Sequence, residues 1–297
     1  MHITEFYETD RVAISLELYP PKTEEGMEEL FRNVDELVSF GPSYITCTYG
    51  AGGSTRERTL DIVEKVHNDF SIHVAGHLTC VGSTVDDLRA YLRDAVGRHV
   101  DFIVALRGDP PQGQDRFTPV DGGFAHANEL AGLIRDEFPD FGVAVAGYPE
   151  THQEAPSRAA DLENLKRKVD SGADIVITQL FYDNDDFYRF RDRCEAMDID
   201  VPMIPGILPV TNLKQIKRIS SLCGCALPPT LLQRLEHYEE DAQGQFDVGV
   251  YHATRQVEEL VARGCRGVHF YCLNRSRAVA TILRALTLPW MTVPHSR

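Results

Sequence analysis

The run Val12-Ala13-Ile14-Ser15-Leu16-Glu17-Leu18 and the segment 24–40 that follows it decide the fold. The first is apolar and of strand length. The second sets Met27, Leu30, Phe31, Val34, Leu37 and Val38 on one helical stripe. Working outward, the pair recurs. Residues 44–48 read as a second strand, before a helix through Leu60, Ile62, Val63 and Val66. Residues 71–78 read as a third, and Thr84-Val85-Asp86-Asp87 opens the next helix like a capping box. Five more strands are predicted at 101–106, 142–146, 174–178, 202–207 and 267–271. Helical segments lie near 127–138, 156–172, 184–197 and 212–223. Residues 228–264 hold two helical pieces broken at Gly244, and 276–286 closes the series. Eight strands, each followed by a helix, in somewhat more than ~250 residues predict a (β/α)₈ TIM barrel of the α/β class. A doubly wound open sheet is the rival. No low-complexity tract or linker divides the chain, so residues 1–297 read as one catalytic domain.

Composition narrows the partners. Forty-five acidic against thirty basic residues give a net charge of −15. Such a surface is a poor partner for nucleic acid, which needs clustered Lys and Arg. An anionic ligand must then be held by a few local cations or by helix N-termini. No apolar run approaches the ~20 residues that cross a bilayer. The start Met1-His2-Ile3-Thr4-Glu5 lacks the basic and apolar regions of a signal peptide. The expectation is a cytoplasmic protein with no membrane partner. Seven scattered cysteines make no disulfide framework. Cys47, Cys80 and Cys272 sit in or beside apolar runs as small core residues, and Cys223-x-Cys225 lacks a second pair for zinc.

Polar residues collect where strands end. Glu17 ends the first strand, Thr48-Tyr49-Gly50 the second and His77 the third. Arg107-Gly108-Asp109 ends the fourth; Tyr148, Glu150 and His152 follow the fifth. Gln179 ends the sixth, and Tyr271, Asn274 and Arg275 the last. Barrel enzymes carry their catalytic groups at these C-terminal ends, so the chain reads as an enzyme. Each group also has a structural reading. A carboxylate at position 17 suits a helix cap or a pair with Arg107 as well as proton donation, for which burial raises a carboxyl's pKa. His77, near His73 and Cys80, reads as a hydrogen-bonding histidine rather than a metal ligand, and no metal is expected. Gln179 and Thr48 suit backbone satisfaction in a core. Asp161, Asn164 and Lys168 share a helix face, fit for a ribose hydroxyl and a phosphate, although a basic run such as Lys166-Arg167-Lys168 is usually a solvated face. The loop 109–123, rich in Pro, Gly and Asp, reads as a mobile rim. Gly50-Ala51-Gly52-Gly53-Ser54-Thr55 lacks the last glycine of a dinucleotide fingerprint, so a Rossmann pyrophosphate site is not expected there.

The strings Ser15-Leu16-Glu17-Leu18-Tyr19-Pro20-Pro21-Lys22-Thr23, Thr48-Tyr49-Gly50-Ala51 and His77-Leu78-Thr79-Cys80 resemble the bacterial methylenetetrahydrofolate reductases. So do Ala105-Leu106-Arg107-Gly108-Asp109, Tyr148-Pro149-Glu150-Thr151-His152 and Asn164-Leu165-Lys166-Arg167-Lys168. Thr178-Gln179, Pro205-Gly206-Ile207-Leu208-Pro209 and His269-Phe270-Tyr271-Cys272-Leu273-Asn274-Arg275 complete an ordered set from about Val12 to Arg275.

The resemblance implies a (β/α)₈ barrel with FAD at the strand C-termini, usually in a homo-oligomer. It implies FAD contacts from Thr48, His77, Arg107, Gly108, Asp109, Ala127, Tyr148, His152, Ala155, Asp161, Asn164, Arg167 and Lys168. Folate contacts would come from Glu17, Asp109, Gln179, Gln215, Tyr271 and Arg275. The implied reaction takes electrons from NADH or NADPH through flavin to 5,10-methylenetetrahydrofolate, in two half-reactions that share one mouth. Glu17 would be the general acid that opens the folate ring, and Asp109 an anion that stabilises the resulting cation. The product, 5-methyltetrahydrofolate, serves methionine synthesis.

Two departures bear on this. Ile219 stands where some bacterial relatives carry an aromatic residue, which puts donor affinity and nicotinamide choice in doubt. The chain also ends soon after the last helix, so adenosylmethionine control through the regulatory domain of longer eukaryotic enzymes is not expected. Two rival readings stand beside the reductase. One is a pterin-handling methyltransferase that needs no FAD; the other is a flavin-bearing subunit that no nicotinamide reduces.

Overall fold

A computed structural model describes residues 2–49, 56–110, 113 and 116–286. Strands and helices alternate through β1 (Ala13–Leu18), α1 (Glu24–Val38), β2 (Tyr44–Cys47), α2 (Arg56–Phe70), β3 (His73–Thr79) and α3 (Val85–Gly97). They continue through β4 (Phe102–Leu106), α4 (Ala127–Glu137), β5 (Gly142–Gly147), α5 (Arg158–Asp170), β6 (Ile175–Thr178) and α6 (Asn184–Glu195). The last part holds β7 (Met203–Ile204), β8 (Gly206–Ile207), α7 (Leu213–Cys223), α8 (Pro229–His237), α9 (Ala242–Ala262), β9 (Gly267–Tyr271) and α10 (Ser276–Ala285).

All pairings are parallel, in the order β7-β6-β5-β4-β3-β2-β1-β9-β8. The two ends of that order, β7 and β8, are separated in the chain by Pro205 alone. They are two halves of one stave, and the ring closes through them as a TIM barrel. The predicted strand 202–207 is therefore corrected to two short strands. Proline has no N–H to offer a ladder; its carbonyl accepts from His269 N at 3.0 Å instead.

Side-chain parity builds the layers. On β1, Ile14, Leu16 and Leu18 point outward into the helix–strand core with Leu30, Val34 and Leu37 of α1. Ala13, Ser15 and Glu17 point inward. The floor of the barrel interior is apolar: Tyr44, Ala75, Phe102, Val104, Ala144, Ile175, Ile177 and Ile204 pack with Ile3 and Tyr7. Those last two belong to a 3₁₀ helix, Ile3–Tyr7, that plugs the N-terminal end of the barrel and that sequence periodicity did not reveal. Caps start the helices as local chemistry dictates. Thr84 and Asp87 form the predicted capping box, and Asn212 caps α7 by accepting from Gln215 N. The break predicted at Gly244 lies instead between His237 and Ala242, with Asp241 as the cap of α9. Gly244 sits inside the first turn of α9, where the Asp241 carboxylate accepts its N–H.

Candidate active site

The inward residues at the C-terminal ends of the strands line a cavity of about 490 Å³. This is a usual size for a small-molecule site. Glu17 from β1, His77 from β3 and His269 from β9 stand at its floor beside Val104 and Ile177. Arg107, Gly108, Asp109, Tyr148, His152, Gln179 and Tyr271 rise around it, and Thr48, Ile219 and Cys223 complete the wall. A second cavity, of about 360 Å³, lies between the N-terminus of α4 and one face of α5. Ala127 lines it from α4; Asp161, Asn164, Arg167 and Lys168 line it from α5. Arg107, Tyr148 and His152 line both cavities, so the two share a wall.

Glu17 does not pair with Arg107. The guanidinium takes Glu154 in two hydrogen bonds, at 2.6 and 2.9 Å, and stacks on Phe117 at 5.2 Å. The Glu17 carboxylate meets two imidazoles instead, with His77 Nε2 at 3.5 Å and His269 Nε2 at 3.7 Å from the same oxygen. Burial lowers His77 to about 4, and the Glu17 charge only partly opposes that shift. His77 is thus a neutral ring at ordinary pH, able to donate or accept.

Above this floor, Tyr271 donates to the Thr178 carbonyl at 2.7 Å. Burial and the Glu17 charge hold its phenol well above the usual range. Gly206 makes that bond feasible, since a Cβ there would lie 2.3 Å from the Thr178 carbonyl and 2.7 Å from the Tyr271 ring. Gly108 turns the chain between Arg107 and Asp109 with φ +88°, and a Cβ would press on Val81 at 2.9 Å. Asp109 is exposed at the rim.

In the second cavity the sequence face 161, 164, 168 is realised. Asp161 accepts from His152 N at 2.9 Å, and Asn164 accepts from Arg167 at 2.7 Å. Lys168 donates to the Ala146 carbonyl and lies 5.9 Å over the Tyr148 ring. The positive end of α4, two basic side chains and hydroxyl-binding Asp and Asn make a groove suited to a phosphate and a sugar.

Three predicted residues line neither cavity. Ala155 hydrogen-bonds back to His152, Gln215 is exposed on the first turn of α7, and Arg275 is exposed as the N-cap residue of α10. The glycine stretch 50–55 lies outside the described residues, as do 111, 112, 114 and 115 of the loop read as a mobile rim. Within its described part, the Gly122 carbonyl accepts from Val85 N at 2.9 Å. Sequence reasoning missed Ser15 and His269. Strand parity was the available signal, because each lies two residues before a predicted site residue, Glu17 and Tyr271.

The family model for methylenetetrahydrofolate reductase matches residues 2–287. The chain belongs to the methylenetetrahydrofolate reductase family. The Escherichia coli K12 5,10-methylenetetrahydrofolate reductase is 40% identical over 276 residues, covering 93% of this chain and 91% of that relative. The Arabidopsis thaliana methylenetetrahydrofolate reductase (NADH) 1 is 39% identical over 291 residues. That match covers 95% of this chain and 49% of the plant protein, so the chain spans about half the length of its plant relatives. Among solved structures, an uncharacterized Clostridium thermocellum protein that binds two copies of 5-methyl-5,6,7,8-tetrahydrofolic acid superposes with a TM-score of 0.64 at 15% identity. It covers 96% of this chain and 98% of that one, and shares the fold. Among the described residues, no helix is long and apolar enough to cross a membrane.

Proposed function

We propose that this chain reduces 5,10-methylenetetrahydrofolate to 5-methyltetrahydrofolate with FAD and either NADH or NADPH, as a cytoplasmic homo-oligomer that supplies methyl groups for methionine synthesis. One observation carries the proposal: in a chain of this family, a carboxyl, Glu17, stands at the cavity floor between two imidazoles.

The residues present suit FAD. Lys168, Arg167 and the N-terminus of α4 are the local cations that a chain of net charge −15 needs to hold phosphates. Asp161 and Asn164 take sugar hydroxyls. Thr48, His77, Arg107, Gly108, Asp109, Ala127, Tyr148 and His152 complete the cradle, and the family resemblance adds Ala155, which lines neither cavity. A bound flavin supplies two-electron transfer between the nicotinamide and the folate.

The rest is the work of the chain. Glu17, in its protonated form, gives its proton to N10 of the folate, the methylene–N10 bond breaks, and the five-membered ring opens to an iminium cation at N5. Asp109, a rim anion, stabilises that cation. Gln179 and Tyr271 orient the pterin inside the cavity. Gln215 and Arg275, exposed on the same barrel face, meet the tail outside it.

Anaerobic addition of NADH and NADPH in turn should bleach the flavin of the purified protein, and methylenetetrahydrofolate should restore its colour. Protein that stays colourless when flavin is offered overturns the proposal in favour of a methyl transfer without redox. Bound flavin that neither nicotinamide bleaches points to the electron-accepting subunit. Glu17→Gln should lower methylenetetrahydrofolate turnover by about 10²–10⁴-fold while nicotinamide still reduces an artificial acceptor. Near-intact folate turnover removes the general-acid role.

A further inference from the structure

Behind Glu17 lies a line of side chains that the proposed chemistry does not use. Ser15 shares the inward face of β1 and is the register partner of His269 on β9. The Ser15 hydroxyl and His269 Nδ1 are 2.8 Å apart, and each residue is 1% exposed. Deeper in the barrel, the Tyr44 and Tyr7 phenols bond to each other at 2.8 Å. Burial pushes both phenols up, so they keep their protons.

An imidazole in its neutral form has one donor and one acceptor nitrogen, and the partner of the first decides the role of the second. Here the Ser15 hydroxyl is the partner of Nδ1, and a hydroxyl that donates to it makes Nδ1 the acceptor. That leaves the proton on Nε2, the atom that faces Glu17. Both imidazoles converge on Oε2 of Glu17.

We infer that Ser15 sets His269 as the Nε2–H tautomer, and that His269 is a positioning residue that holds Glu17 Oε2 and reserves Oε1 for the folate nitrogen. The inference rests on the reading of Glu17 as the proton donor. At 3.7 Å the His269–Glu17 contact is longer than a hydrogen bond. The carboxylate left after proton transfer is the form that draws the N–H in, because a charged acceptor makes the stronger bond. The contact therefore tightens as the reaction proceeds, which is how a contact contributes to rate rather than to substrate affinity.

Two measurements test it. Ser15→Ala and His269→Gln, checked for folding by thermal melting, should each lower kcat for methylenetetrahydrofolate about tenfold, with KM moved less than about twofold. In a Glu17→Gln background neither should cost anything further, since the residue they act through is gone. Losses that multiply with Glu17→Gln overturn the inference, as does a change confined to KM. Independently, side-chain ¹⁵N NMR of the wild-type chain should show His269 with its proton on Nε2, and Ser15→Ala should abolish that preference. An Nδ1–H tautomer in the wild type, or an Nε2–H tautomer that persists in Ser15→Ala, overturns it even if a variant fails to fold. Wild-type protein that reduces no methylenetetrahydrofolate defeats the functional proposal instead, and the tautomer measurement still decides the Ser15–His269 pairing.

Discussion

Lys168 keeps its ammonium inside the second cavity, on the Ala146 carbonyl, one helical turn from asparagine and two from Asp161. Burial lowers it to about 8, with Asp161 pulling the other way. A phosphate bound beside it favours the charged form and raises that pKa. The bound state then holds more protons than the free state above pH 8. Affinity for the anion is therefore complete below about pH 8 and is lost as pH rises through it, by about tenfold per unit at most. In the ligand-free fold the sign reverses. There the folded pKa lies below that of the unfolded lysine, so burial of this group costs most below pH 8 and the cost fades toward ~10.4. Flavin released into solution, followed by its fluorescence from pH 7 to 9.5, should rise with pH. Lys168→Arg, whose guanidinium stays charged, should flatten the curve. Retention that ignores pH in the wild-type chain removes Lys168 from the phosphate site.

At the scale of elements, the 3₁₀ helix Ile3–Tyr7 closes the end of the barrel opposite the cavity. Ile3 is fully buried, and a Cβ on Gly142 would lie 2.9 Å from its side chain, so the plug is packed tightly. Ile3→Ala should cost about 2–5 kcal/mol in stability, the usual range for an aliphatic truncation in a core. A urea midpoint unchanged from wild type would show that the plug is not part of the cooperative unit. This element also marks where the sequence stopped being legible. Strands and helices showed themselves because burial imposes a period of 2 or 3.6 on many residues, as on β1 and α1. A five-residue plug is too short to show a period. The split of one stave at Pro205 was hidden because two adjacent pairs of strand residues read as one apolar run. The helix break moved from Gly244 because Asp241 makes a stronger start than a glycine makes a stop. For the site, strand ends located Glu17, His77, Tyr148, Gln179 and Tyr271 by position alone. His269 escaped because a histidine inside an apolar strand looks like core until its register partner, Ser15, is known. The exposed Gln215 and Arg275 rest on the family resemblance and gain nothing from the geometry.

For the whole molecule, the decisive feature is that every cavity wall named for the proposed chemistry stands on one face. The strands all run parallel, so their C-terminal ends and the polar residues on them gather at a single mouth, while Ile3–Tyr7 fills the other end. Arg107, Tyr148 and His152 join the two cavities there. A cofactor lying across both leaves one approach to its reactive part from the larger cavity, whose floor holds Glu17. The incomplete glycine fingerprint at 50–55 gives no ground for a separate Rossmann site for a nicotinamide. On the proposed function, donor and folate take turns over the same floor. Initial rates with the nicotinamide varied at several fixed methylenetetrahydrofolate concentrations should give parallel double-reciprocal lines. Each substrate at high concentration should inhibit competitively against the other, because each occupies the form of the enzyme that the other needs. Intersecting lines would require both ligands to be bound together, and a second approach to the cavity would have to be found on a barrel whose opposite end is closed.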